Sequence, residues 1–207
     1  MKIAIIGATG FVGSRVLAEA LHRGHEVTAI AKDPSPPAAS TGARVVGLDA
    51  SDAEALASAI ADQAVVISAF NPGRDPDGTG VRAILHAARS AGVERLLVVG
   101  GAGSLEIAPG RRVVDEPGFP AEWREGALRT AAFLDLLRGE TEIDWVFVSP
   151  AADLHPGERT GRYRVGGDQL MSDAAGESRI SLEDYAVAML DEAERPAHHR
   201  ARISVAY

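Results

Sequence analysis

The chain has 207 residues, no cysteine and a formal net charge of −8. That length suits one α/β domain, alone or with a small cap, and is too short for two full domains. The missing cysteines exclude disulfides, thiolate zinc sites and cysteine nucleophiles, and an acidic chain without a basic run offers no electrostatic footprint for nucleic acid or anionic lipid.

In chain order, residues 3–6 (Ile-Ala-Ile-Ile) form an apolar run of four that glycine cuts off. This reads as a buried strand and not as a signal segment. Val12, Val16, Leu17, Ala20 and Leu21 recur at helical spacing over 12–23, and Gly24 ends that helix. A second strand spans 27–31. The proline-rich stretch 32–42, with Pro34, Pro36 and Pro37, is a loop. A third strand covers 44–48, and Ser51 or Asp52 opens a helix through Ala61 with Glu54 in its first turn. A fourth strand covers 65–70, a helix 78–91 stops at Gly92, and a fifth strand covers 95–99.

The stretch 100–120 carries three glycines in its first four residues and three prolines later. It reads as a long loop of the kind that serves as a lid or binding loop. A helix over 121–138 and a strand over 145–148 follow. Residues 150–176 are irregular, with a short strand candidate around 162–165. Ser181 caps a helix over 182–194, and 202–206 is a last strand.

Strands and helices thus alternate. The pattern predicts a single α/β domain over 1–207, built on a doubly wound, mainly parallel sheet with helices on both faces. A small irregular segment near 150–178 lies on the substrate side. No window is long and apolar enough to span a membrane, and the absence of cysteine fits a reducing compartment. A cytoplasmic location without membrane attachment is expected.

The first strand runs directly into Gly7-Ala8-Thr9-Gly10-Phe11-Val12-Gly13, and a helix follows. Gly7 permits a tight turn, Gly10 lets backbone N–H groups approach a pyrophosphate, and Gly13 permits close packing of helix on strand. The diphosphate would sit at the positive end of the helix. Glycine spacing alone is weak evidence; the strand–turn–helix setting gives it value. The expectation is a Rossmann-type site for a nicotinamide dinucleotide, with a glycine-rich turn that holds no ligand as the competing reading.

At the end of the second strand, NAD enzymes place a carboxylate for the ribose 2′-hydroxyl. Here Ala31 and Lys32 stand instead. A lysine there pairs with a 2′-phosphate as a point charge, which favours NADP(H) and leaves NAD(H) possible. Asp33 is able to turn inward and complicates that reading. Asp49 and Ala50 end the third strand and can face the adenine, although Asp49 is equally suited to start a helix. Ala69, Phe70 and Asn71 end the fourth and can line the ribose and nicotinamide side, although Phe70 also suits the core.

GATGFVG, VISAFNPG, RLLVVGGAGSL and VSPAADLHPGERTGRYRVGGDQL together resemble the atypical short-chain dehydrogenase/reductases. More narrowly they resemble the NADH-flavin reductase group, with NmrA-like and biliverdin-B-type flavin reductase relatives. The likeness covers nearly the whole chain. It implies NAD(P)H contacts from Gly7, Thr9, Gly10, Phe11 and Val12, from Lys32, Asp49, Ala50, Ala69 and Phe70, and from Pro150, Ala151 and Ala152 near the nicotinamide.

One departure from the wider superfamily matters. Its usual Tyr-x-x-x-Lys pair would fall in 122–127, where Trp123 and Ala127 stand, and none of Tyr163, Tyr185 and Tyr207 has a lysine four residues on. Carbonyl reduction, epimerisation or dehydration through such a pair is not expected. Flavin reduction fits, because hydride passes from nicotinamide to flavin by juxtaposition and the cofactor carries the chemistry. The expected function is NAD(P)H-dependent transfer of hydride to a small flavin or quinone-like acceptor that is not tightly held. A non-catalytic NADP(H)-binding redox sensor of NmrA-like type is the alternative.

On the first reading the 100–120 loop covers the acceptor. Ser104 is the candidate catalytic hydrogen-bond donor, with a plain turn residue as the competing reading. Trp123 can stack on the acceptor, although burial on a helix face is the commoner outcome. Arg111, Arg112, Asp115 and Glu116 read as a solvated face or as selectors of a charged acceptor. The histidines show no ligand spacing, so no metal is expected.

Overall fold

The computed structural model describes residues 1–33 and 42–207. Most of the proline-rich loop expected at 32–42 therefore lies outside the described residues. The central sheet contains β1 (Lys2–Ile6), β2 (Glu26–Ala31), β3 (Arg44–Gly47), β4 (Val65–Ser68), β5 (Arg95–Val99), β8 (Asp144–Pro150), β10 (Arg164–Gly166) and β12 (Ala201–Ala206). Its spatial order is β10-β12-β8-β5-β4-β1-β2-β3, parallel throughout except where β10 meets β12. The chain winds outward from β1 through β2 to β3, returns to β4 on the other side of β1, and winds outward again. This is the doubly wound Rossmann-type order, whose ligands lie beyond the carboxyl ends of the strands where the winding reverses, here between β1 and β4.

The helices are α1 (Gly13–His22), α2 (Ala53–Ile60), α3 (Thr79–Ser90), α4 (Ala121–Arg138) and α5 (Leu182–Glu194). α1 and α5 cover one face of the sheet; α2, α3 and α4 cover the other. Successive side chains of a strand point to opposite faces, so Ile3 and Ile5 join the α1/α5 core while Ala4 and Ile6 join the other. That is why β1 is apolar at every position from Ile3 to Ile6 instead of alternating. Ser181 caps α5 by accepting the Asp184 N–H at 3.0 Å. Asp52 caps α2 by accepting the Ala55 N–H at 3.1 Å.

Two irregular stretches hold more structure than their composition suggests. The 100–120 loop contains a 3₁₀ turn at Ala102–Ser104, a hairpin of β6 (Glu106–Ala108) and β7 (Arg111–Arg112), and a second 3₁₀ turn at Val113–Asp115. In the segment near 150–178, β9 (Asp153–His155) leads off from β8 and pairs with β11 (Arg179–Ser181), more than twenty residues away. The strand expected over 65–70 stops at Ser68, so Ala69 and Phe70 leave the sheet at its carboxyl edge.

Candidate functional site

The glycine loop closes the gap between β1 and α1. Gly7 has φ +78°, and a Cβ on it would lie 2.7 Å from the Ala69 carbonyl oxygen. A Cβ on Gly13 would lie 2.1 Å from the carbonyl oxygen of Gly7. Both positions therefore require glycine, one for the turn and one for the approach of α1. The Gly7 and Ala8 N–H groups donate to the Ile30 carbonyl at 2.8 and 3.1 Å, tying the loop to the end of β2, and the Gly10 N–H turns back to Gly7.

Beyond these bonds, the N–H groups of Thr9, Phe11, Val12 and Gly13 meet no acceptor among the described residues. No side chain caps α1, and its first turn contains no acid. The positive end of the helix is thus left with unpaired donors and no carboxylate competing for them. The dinucleotide's diphosphate fits this arrangement.

Two adjoining hollows share Gly10, Ala69, Phe70 and Asn71. The first, about 230 Å³, continues past Thr9 to Ala31, Lys32, Asp49 and Ala50. Lys32 Nζ lies 2.8 Å from Asp49 Oδ2. Asp49 also accepts the Ser51 N–H at 3.0 Å and the Ser51 hydroxyl at 2.9 Å. The lysine's hydrogen bond, with those from Ser51, holds the Asp49 carboxyl at about 2. Asp49 in turn raises the Lys32 pKa. The helix-initiating role open to Asp49 in the sequence belongs to Asp52. Asp33 is exposed and does not line the hollow.

The second hollow, about 310 Å³, runs from Phe11 and Val12 to Pro72, Arg74, Val99, Gly100 and Thr130. Phe70 is fixed at the junction because its ring packs on Gly80 of α3, where a Cβ would be 2.4 Å away. Gly100 likewise leaves room for the Phe147 ring. Phe11 keeps its side chain 57% exposed at the mouth.

Pro150 ends β8 at the carboxyl edge and Ala151 and Ala152 follow it, but they line neither hollow; Ala151 is buried, and the Ala152 N–H donates to Ser178 Oγ. Ser104 also stands outside both hollows. Gly103 packs on Ala127 of α4, which turns Ser104 inward, buried and 3.5 Å from an Arg202 Nη. Trp123 is 65% exposed rather than buried. It precedes Thr130 by seven residues on α4, which puts it on the same face about 10 Å further along the axis. Arg111 and Arg112 pair with Glu116 and Asp115, as a solvated face would.

The tyrosines are engaged elsewhere. Tyr185 is buried and donates to the Val148 carbonyl at 2.6 Å, and burial pushes its pKa up. Tyr163 donates to Asp191 at 2.6 Å. Tyr207 lies 2.8 Å from both Ser181 Oγ and Asp184 Oδ2. Lysine occurs only at positions 2 and 32. No cluster of three potential metal ligands occurs among the described residues. Pro72, Arg74, Val99 and Thr130 were not singled out in the sequence, and Gly100 only as the start of the 100–120 loop: Val99 was accessible to the same strand-end rule that found Ala69, whereas Arg74 and Thr130 carried no local signal.

A family model described as NAD(P)H-binding matches residues 7–193. The Bacillus subtilis protein YwnB is 41% identical over 211 residues, covering 99% of this chain and 98% of that one. The solved structure of a "putative epimerase" from Bacteroides thetaiotaomicron is 46% identical with a TM-score of 0.92, covering 100% of this chain and 96% of the other. A "putative NADH-flavin reductase" from Streptococcus pneumoniae is 37% identical with a TM-score of 0.88, covering 100% and 99%. The fold and the cleft define a Rossmann-type nicotinamide-dinucleotide-binding protein. The chain belongs to the NAD(P)H-binding family.

Proposed function

We propose that this protein is an NAD(P)H-dependent reductase that delivers hydride to a flavin or quinone-like acceptor. The observation that carries this reading is the second hollow. It adjoins the diphosphate-binding end of α1, yet no tyrosine or lysine stands in its walls. Acid–base chemistry at a carbonyl or sugar carbon needs a positioned proton carrier, and the walls offer none. Bound NAD(P)H supplies the hydride when an electron-poor ring lies against its nicotinamide, and solvent supplies the proton.

The protein's part is to bind and orient. The free N–H groups of Thr9, Phe11, Val12 and Gly13 grip the diphosphate. Ala69, Phe70 and Val99 exclude water from the floor. Phe11 offers an exposed aromatic surface at the mouth. Lys32 favours NADP(H), whose 2′-phosphate competes with Asp49 for its ammonium.

The name of the pneumococcal relative supports this reading. The name of the Bacteroides relative points to epimerisation, which the tyrosine-free walls do not favour. The test is steady-state oxidation of NADPH and NADH with FMN, FAD, riboflavin and quinones. Saturable turnover with at least one acceptor is expected, faster with NADPH. Rates no higher than without protein for every acceptor would overturn the proposal.

A further inference from the structure

The cation in the wall of the second hollow is Arg74, at the end of the 3₁₀ turn Pro72–Arg74. This turn is held from three directions. Asn71 Oδ1 accepts the Gly73 N–H at 2.9 Å, and Arg129 of α4 donates to the Gly73 carbonyl at 2.8 Å. Gly73 also packs against Gly126, where an added Cβ would lie 3.2 Å from the Gly126 Cα. Two glycines in contact allow α4 to clamp the turn directly. The backbone that presents Arg74 is therefore rigid.

The guanidinium itself is unengaged: it has no ion-pair or hydrogen-bond partner among the described residues. The other arginines on this side behave differently. Arg111, Arg112 and Arg202 pair with Glu116, Asp115 and Asp168, and Arg124 and Arg129 bond backbone carbonyls. The acids that follow Arg74, Asp75 and Asp77, line a separate groove on the far side of the turn and do not reach this hollow. Arg74 is exposed at the wall of the hollow, and in a chain of net charge −8 an unpaired cation on a turn pinned in this way is open to an anionic ligand.

We infer that Arg74 selects an acceptor bearing an anionic oxygen group, so that a flavin carrying a phosphate is bound in preference to one without it. This rests on the reductase reading above and names the acceptor class for that same hollow. The cofactor's own diphosphate is the other source of such an anion, and the experiment separates the two.

Equilibrium binding of FMN and of riboflavin is measured by flavin fluorescence in the presence of saturating NADP⁺, for the wild type, Arg74→Gln and Arg74→Lys. NADPH affinity is measured on all three. The wild type is expected to bind FMN about tenfold more tightly than riboflavin. In Arg74→Gln that ratio should fall close to one while the NADPH affinity holds, and Arg74→Lys should keep part of the ratio. Steady-state KM values for the two flavins should follow the same pattern. Equal wild-type affinities would remove the role of Arg74 and leave the reductase reading standing. Weakened NADPH binding with an unchanged flavin ratio would make Arg74 a cofactor clamp and overturn the inference. No binding or turnover of either flavin would overturn the reductase reading for flavins and this inference together.

Discussion

At the scale of single residues, the glycine loop is the most constrained feature. A methyl group on Gly13 would collide with the Gly7 carbonyl at 2.1 Å, and neither backbone can yield without moving the free N–H groups. Gly13→Ala is expected to weaken NADPH binding more than about tenfold and to cost about 1–3 kcal/mol of stability. Calorimetric titration and urea denaturation would measure the two effects. Lys32 and Asp49 act in opposite senses. Lys32→Ala should weaken NADPH about tenfold and leave NADH nearly unchanged, whereas Asp49→Asn should tighten NADPH by removing a carboxylate from beside the 2′-phosphate. If both substitutions leave the ratio of NADPH to NADH affinities at its wild-type value, Lys32 does not read the 2′ position. Gly7 and Gly13 were legible in the sequence because a steric requirement restricts the residue type itself. The burial of Ser104 was not legible, because it depends on packing between segments far apart in the chain. Arg74 was not legible for the same reason: only the fold shows which charges are already paired.

At the scale of elements, the helices were legible and the shortest strands were not. α4 and α5 have the ends their sequences imply, because caps, stop residues and 3.6-residue periodicity are local signals. β9 and β11 have three residues each, too few for any periodicity, and their pairing is decided by packing beside α5. The segment following β9 is anchored by hydrogen bonds from the Gly157 N–H to Glu183 at 2.8 Å and from the Gly161 N–H to Asp184 at 2.7 Å, and by an ion-pair cluster on α1. Glu19 of α1, 5% exposed, takes two bonds from Arg159 at 2.7 Å and one from Arg23 at 2.7 Å. Arg159's hydrogen bond, opposed by burial and aided by Arg23, holds the Glu19 carboxyl at about 2, below its ordinary 4.5. A lowered folded-state pKa contributes stability above the unfolded value and loses it as pH falls through the folded one. The contribution is therefore complete above about pH 5 and is lost between about pH 4.5 and 2. Its size is about 1–3 kcal/mol, with solvent screening at the half-exposed Arg159 reducing it. Glu19→Gln should flatten that part of the dependence of unfolding free energy on pH, measured by urea denaturation between pH 6 and 3. An unchanged slope would show that Glu19 does not hold this segment.

At the scale of the molecule, the order of the strands makes the cleft. Because the chain reverses its winding between β1 and β4, the loops after them, with Gly7 and Ala69, diverge at the carboxyl edge and leave the space that both hollows occupy. The alternation of apolar strands with amphipathic helices foretold a doubly wound, mainly parallel sheet. It did not foretell that β10 would return antiparallel against β12, since its three residues follow a long irregular stretch. Cofactor binding, hydride delivery and acceptor choice all depend on the start of α1 holding a dinucleotide diphosphate. The most direct test is thermal unfolding with and without the reduced cofactors. A ligand at about 100 times its Kd stabilises the folded chain by about 2.7 kcal/mol, which for a protein of this size raises Tm by roughly 5–10 °C. That rise is predicted with NADPH, with a smaller one for NADH. A Tm unmoved by saturating amounts of either would contradict the account at its base.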